Sequence, residues 1–155
     1  MPDTNKNSAA IKLADLTSHL LVHCREKEIR FAEKNGLTQA EFRCLRYFST
    51  NECMNNKQIS AKMKLTPGRL TRIIDSLIFK KYMTRKIDKS DRRFMRVYLS
   101  QKGISIVQQL NNDYVDVHQD ILSGIDLHQQ KPMIIAMSRL VAAMKIWASK
   151  SKSDY

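Results

Sequence analysis

Residues 64–78, Lys64-Leu-Thr-Pro-Gly-Arg-Leu-Thr-Arg-Ile-Ile-Asp-Ser-Leu-Ile78, decide the fold of this 155-residue chain. Thr66 suits an N-cap and Pro67 a first helical position, which predicts a helix starting here. Leu70, Ile73, Ile74, Leu77 and Ile78 then recur at helical spacing as one apolar stripe. The opposite side carries Gly68, Arg69, Arg72 and Ser76, with Thr71 and Asp75 at its margin. A buried stripe backed by a small, basic, hydrogen-bonding face is what a helix needs to lie in a major groove. Two alternating segments follow, Met83/Arg85/Ile87 and Met95/Val97/Leu99, joined by Asp88-Lys-Ser-Asp-Arg-Arg-Phe94. Such a pattern predicts a two-stranded hairpin with a basic tip. Helix and hairpin together read as a winged helix-turn-helix.

Charge supports that reading. Residues 57–103 hold fourteen Lys/Arg against three Asp/Glu, which is +11 of the chain's formal +12. A basic protein of no particular partner spreads its charge, whereas a surface that displaces counterions from nucleic acid concentrates it. No aromatic-anchored amphipathic helix and no apolar run near 18 residues stand out, so no membrane partner is expected. Cys24, Cys44 and Cys53 are odd in number and form no C-x-x-C pair, and no signal-like segment opens the chain. A reduced, cytoplasmic protein is the expectation.

Outward from this centre the chain is mainly α. A long first helix is predicted from Ala9 to about Lys34, stopped by Asn35-Gly36. Thr38 and Glu41 make a capping box for a second helix reaching about Ser49, with Leu37 and Phe42 at the staple positions. Residues 50–56 read as a polar connector, and Lys57 to Met63 as the short first helix of the helix-turn-helix. Ser100 caps a later helix that ends at Gly124. Because Pro132 would lie too far inside a helix begun at Asp126, a turn over 126–130 and a helix from Pro132 are expected. The ends, residues 1–8 and 149–155, are expected to be frayed or disordered. Residues 37–103 thus form the winged region, and 1–36 with 104–155 the helical frame, all within one compact unit. The frame carries more apolar face than a small winged-helix unit alone could cover.

Three stretches, Leu65-Thr-Pro-Gly-Arg-Leu-Thr-Arg-Ile-Ile-Asp-Ser-Leu77, Asp88-x-x-Asp-Arg-Arg93 and Val97-x-Leu-Ser-x-Lys-Gly103, together resemble the signature run of the MarR family of bacterial transcriptional regulators. The resemblance spans roughly residues 37 to 110 at motif level. It implies a homodimer on double-stranded DNA, paired through long terminal dimerisation helices and released by a small molecule or by thiol oxidation. It also implies that Arg93 enters the minor groove and that Asp91 orients it. The family usually places Gly where this chain has Lys64 and Lys81.

Pro67, Gly68, Arg69, Thr71 and Arg72 occupy the first turn and a half of the reading helix, within reach of base edges. Arg69 and Arg72 suit bidentate contact with guanine, the bland alternative being phosphate contact alone. A planar cation at Arg93 suits the negative potential of a narrow minor groove, with Arg92, Lys89 and Arg85 neutralising phosphates. An ordinary charged hairpin tip is the alternative. For a small anionic or aromatic effector, helix phase offers His19, His23, Arg46, Tyr47 and Tyr114.

Cys24, between His23 and Arg25, is the redox candidate, although the reactive cysteine of the family's hydroperoxide sensors would fall near Asp15. The zinc-sensing relatives' Glu-His pair has no counterpart in Gln39-Ala-Glu-Phe-Arg43, so neither metal nor cofactor is expected. No Gly-rich phosphate loop, G-x-S-x-G or H-E-x-x-H motif supports an enzyme. A winged-helix adaptor and an architectural nucleic-acid binder remain as the competing classes.

Overall fold

A computed structural model describes residues 4–49, 52–91 and 95–150. Two compact units divide the chain, Met1–Asn111 and Asn112–Tyr155. The first contains α1 (Thr4–Lys34), α2 (Gln39–Arg46), β1 (Cys53–Asn55), α3 (Asn56–Met63), α4 (Pro67–Phe79), β2 (Met83–Ile87) and β3 (Met95–Leu99). It also contains the first part of α5 (Gln101–Ser123), whose remainder joins α6 (Leu127–Lys150) in the second unit.

Local chemistry starts these helices where the sequence places them. Thr38 accepts from the Glu41 amide while the Glu41 carboxylate accepts from the Thr38 amide, closing the expected capping box. Asn55 and Gln58 build a second box at α3. The amide of Gly103 donates to Ser100 Oγ at 2.9 Å, so Ser100 caps α5 as read. Thr66 has N-cap backbone geometry and Pro67 is the first helical residue, but the Thr66 hydroxyl makes no capping bond.

The α4 stripe is the centre of the core. Leu70, Ile73, Ile74 and Leu77 are buried, together with Phe42, Leu45, Ile59, Met83 and Val97. Phe31 of α1 tilts against Phe42 of α2 with ring centroids 5.2 Å apart. The sheet runs β1–β3–β2, antiparallel throughout. Met83 pairs with Leu99 and Ile87 with Met95 in the hairpin, in the register that the alternation requires.

Several expectations are corrected. The polar connector contains β1, with Cys53 opposite Tyr98 and Asn55 opposite Arg96, so the wing sheet has three strands instead of two. A three-residue strand has no periodicity of its own to read. Its partner lies more than forty residues away, and the pairing alone defines it. α1 already starts at Thr4 and α6 extends to Lys150. Residues 1–3, 50, 51, 92–94 and 151–155 lie outside the described residues, and with them the tip arginines Arg92 and Arg93.

Pro132 is inside α6, which begins at Leu127. The proline removes the one hydrogen bond that its N–H would give to the residue 128 carbonyl, in only the second turn. The corner before it is held independently. Gln129 N–H donates to Asp126 O at 2.8 Å, and Gln130 Nε2 donates to the carbonyls of Leu122 and Ile125 at 3.0 Å each.

Three helix ends share one closure. Leu37 N–H reaches Ala32 O, Leu65 N–H reaches Ser60 O, and Tyr82 N–H reaches Leu77 O, each spanning five residues. Such a closure needs a left-handed residue just before the donor. Gly36 supplies it at φ 67°, but Lys64 (φ 53°) and Lys81 (φ 62°) supply it at the other two. A side chain in that region costs about 1 kcal/mol relative to glycine.

Gly103 is required for a different reason. A Cβ there would come 1.9 Å from the carbonyl oxygen of Tyr82. That oxygen accepts from Ser100 N–H, and backbone so fixed cannot yield. Gly103→Ala is therefore expected to lose about 3 kcal/mol or more of stability, read as a fall in urea midpoint. An unchanged midpoint would mean that α5 starts further from the wing than described.

Candidate nucleic-acid interface

The outer face of α4 is open. Pro67, Gly68, Arg69, Thr71 and Arg72 are all exposed. Arg69 and Arg72 make no ion pair among the described residues, and Thr71 Oγ1 donates back to Pro67 O at 3.0 Å. A Cβ on Gly68 would meet nothing within 4 Å, so no packing requires glycine there.

Ser76, expected on this face, is instead half-buried and donates its hydroxyl to Glu41 Oε1 at 2.5 Å. Glu41 is 2% exposed and is the hub of this contact. Lys80 Nζ donates to its other oxygen at 2.8 Å and to Gly36 O at 2.9 Å. Burial alone would raise the Glu41 pKa, but hydrogen bonds from Lys80, Ser76 and the Thr38 amide outweigh it and hold the carboxyl below its ordinary value. The last turn of α4 is thereby fastened to α2 and to the end of α1.

Two further ion pairs brace the wing. Arg85 of β2 reaches Asp75 of α4 at 2.7 Å, so a charge read as a phosphate contact is balanced inside the protein. Arg96 of β3 pairs with Asp88 and also donates to Cys53 Sγ at 3.6 Å. Ser90 donates to Asp88 through both its hydroxyl and its amide. The Ser90 hydroxyl first, then the Arg96 guanidinium, hold the Asp88 carboxyl well below the usual carboxylate range. These bonds close the base of the wing loop on the side where Lys89 is exposed and Asp91 partly buried. Lys86 lies 5.4 Å from the Tyr98 ring centre and Lys102 4.7 Å from that of Tyr82.

Two of the five residues suggested for an effector line one cavity. Arg46 and Tyr47 line an open cavity of about 450 Å³ with Glu28, Arg43 and Met63. Glu28 already accepts from Arg43 at 2.5 Å and from Gln39 at 2.9 Å there. His19 and His23 are exposed on α1 and do not line it, His23 standing 3.3 Å from Glu26. Tyr114 belongs to the second unit, stacked edge-on against His118 with ring centres 4.6 Å apart. All three cysteines are free thiols. Burial, then the Glu41 charge, push the Cys44 thiol up to about 12, which removes it from thiolate chemistry. Cys24 and Cys53 are partly exposed.

An open helix face carrying two arginines beside a three-stranded wing defines a DNA-binding protein of the winged helix-turn-helix class. Residues 37–94 match the model of the MarR family, and the relatives that the chain is similar to are named as HTH-type transcriptional regulators. The uncharacterized HTH-type transcriptional regulator YkoM of Bacillus subtilis is 25% identical over 122 residues, covering 74% of each chain. A crystal structure of a MarR family transcription regulator superposes with a TM-score of 0.84 at 15% identity, covering 98% of both chains. A mutant of Staphylococcus aureus MepR bound to an oligodeoxyribonucleotide does so with a TM-score of 0.63 at 16% identity, covering 85% of this chain and 97% of the other.

The Glu41 hub has a pH signature. Between the lowered folded pKa and the unfolded value of about 4.3, the unfolded chain holds a proton that folded Glu41 does not. Stability from this group is therefore fully present above the unfolded value and is lost as pH falls through the folded one. Urea melts across the acid range should show Glu41→Gln flattening that limb. Lys80→Met, which strands the buried carboxylate, is expected to cost about 3 kcal/mol near neutral pH. Equal pH profiles for wild type and Glu41→Gln would remove the hub from the stability argument.

Proposed function

We propose that this chain is a cytoplasmic, homodimeric repressor that reads a pseudo-palindromic duplex and is released by a small anionic or aromatic effector. The observation that carries the reading is the outward placement of Arg69 and Arg72, without an ion pair among the described residues, on the first turns of a buried-stripe helix. Arg69 and Arg72 then read base edges, with Pro67, Gly68 and Thr71 in close approach. Lys89 and the tip arginines, Arg92 and Arg93, meet phosphate and minor groove, Asp91 orienting Arg93. A MepR mutant, solved bound to an oligodeoxyribonucleotide, supports DNA as the partner.

Dimerisation is supported by what the single chain leaves uncovered. Leu13, Leu16, Leu20 and Leu21 of α1, and Ile134, Val141, Met144 and Trp147 of α6, are exposed, Trp147 by 72%. Apolar surface on this scale marks an interaction face. Residues 1–36 and 104–155 form the pairing frame in this reading, with half-sites about one helical turn apart. α6 is also long and apolar enough, at a mean hydropathy of 1.2, to cross a bilayer. Arg139 and Lys145 fall within its apolar stretch, and each would cost about 2.5–3.5 kcal/mol at a membrane centre. A second copy of the chain is the better cover.

The cavity at Arg43, Arg46, Tyr47 and Met63 supports effector binding, being of a size that takes a small molecule. Release through Cys24 instead would appear as peroxide-dependent loss of binding that Cys24→Ser abolishes.

Binding and assembly are tested together. Light scattering should give twice the chain mass, and Trp147→Asp with Val141→Asp should shift it toward the monomer. Affinity for the palindromic fragment should exceed that for scrambled duplex by about a thousandfold or more; a ratio near one would replace this reading with an architectural binder. Arg72→Ala should narrow the ratio, whereas Arg93→Ala should weaken binding to all duplexes and reduce the salt slope by about one unit. A tip arginine without effect at every salt would take the wing out of the mechanism.

A further inference from the structure

Within five residues at the start of α4 the chain departs three times from what its own fold would favour. Lys64 occupies a left-handed turn position, at φ 53° and ψ 47°, where glycine is less strained. Thr66 stands at the N-cap without making the capping bond. Gly68 sits in the first turn of the helix with open space where a Cβ would be, although alanine is the better helix former.

All three residues are exposed, and Lys64 makes no side-chain hydrogen bond or ion pair among the described residues. Among the described residues no side-chain partner accounts for these choices. A run of locally unfavourable residues on one surface signals a requirement from outside the fold.

We propose that the α3–α4 turn is a phosphate clamp. The Lys64 ammonium takes a backbone phosphate of the duplex, and the bare surface at Gly68 lets that strand close against the first turn of α4. The inference rests on the DNA-binding reading above and adds a sequence-independent contact to its base-reading face. The chemistry fits the positions. Lysine is a compact cation on a flexible stem, suited to a phosphate that it need not approach in one plane. Its left-handed backbone is tolerated because the closure from Leu65 N–H to Ser60 O, at 3.1 Å, holds the turn whatever the side chain. The residue that would relieve the turn, glycine, is also the residue that would remove the charge. Stability and binding therefore pull in opposite directions at position 64, which a purely structural role would not produce.

The test uses the full chain, a scrambled duplex of about 30 base pairs, and anisotropy titrations at several salt concentrations. Lys64→Gly should melt about 2–4 °C higher than wild type. It should also bind about five- to tenfold more weakly near 0.1 M salt, with a slope shallower by about one unit for each lysine engaged. Lys64→Arg, which keeps both charge and strain, should bind like wild type. Gly68→Ala should also melt higher and bind more weakly, but with the salt slope unchanged.

A Lys64→Gly protein that keeps both affinity and slope, while Arg69→Ala loses affinity for a pseudo-palindromic duplex of the same length, would overturn the clamp and leave the DNA-binding reading intact. If neither variant changes binding, the reading of the α4 face fails as well. A lower melting temperature for Lys64→Gly would show that the lysine serves the fold, and would equally overturn the proposal.

Discussion

A buried carboxylate holds the reading helix in place. Glu41 is removed from water and satisfied by three donors, the Thr38 amide, the Ser76 hydroxyl and the Lys80 ammonium. An isolated buried charge would be far too costly to keep, so the three must be present together. Thr38 belongs to the cap of α2, whereas Ser76 and Lys80 belong to the end of α4 and its cap. One group therefore fixes both where α2 begins and how α4 lies on it. Lys80 extends the hold to the carbonyl of Gly36, at the end of α1. The opposite end of α4, with Arg69 and Arg72, is left free of such ties.

The same economy divides the positive charge of the winged region into two populations. Lys62, Lys80, Arg85 and Arg96 are paired with Glu52, Glu41, Asp75 and Asp88. These four join elements: α3 to the loop before β1, α4 to α2, the wing to α4, and β3 to the wing loop. Lys64, Arg69 and Arg72 are exposed and have no such partner among the described residues. A net charge of +11 over residues 57–103 is thus not +11 of available surface, since part of it holds the surface in shape. Counterion release draws on the second population only.

Rigid attachment of a helix to a frame matters only if the frame has a defined partner. The apolar faces left open on α1 and α6 lie in different units of the chain, and neither is covered by the polar chemistry that fastens the winged region.

The features legible in the sequence are those set by neighbours a few residues apart. The α4 stripe, Pro67 as first helical residue, the Thr38–Glu41 box, the Gly36 stop and the Ser100 cap all rest on i to i+4 relations, and the structure has each of them. The hairpin belongs with them, because alternation on both strands sets its register. Tertiary structure alone decided whatever depends on partners distant in the chain. β1 exists because Tyr98 and Arg96 lie opposite it. Ser76 faces inward because Glu41 waits there, and Arg85 is spent on Asp75. α6 runs through Pro132 because Gln130 pins the preceding corner. Periodicity records which face of an element avoids water, and it does so reliably. It holds no information about which polar group of another element will meet a side chain, since that encounter is fixed only when the elements pack.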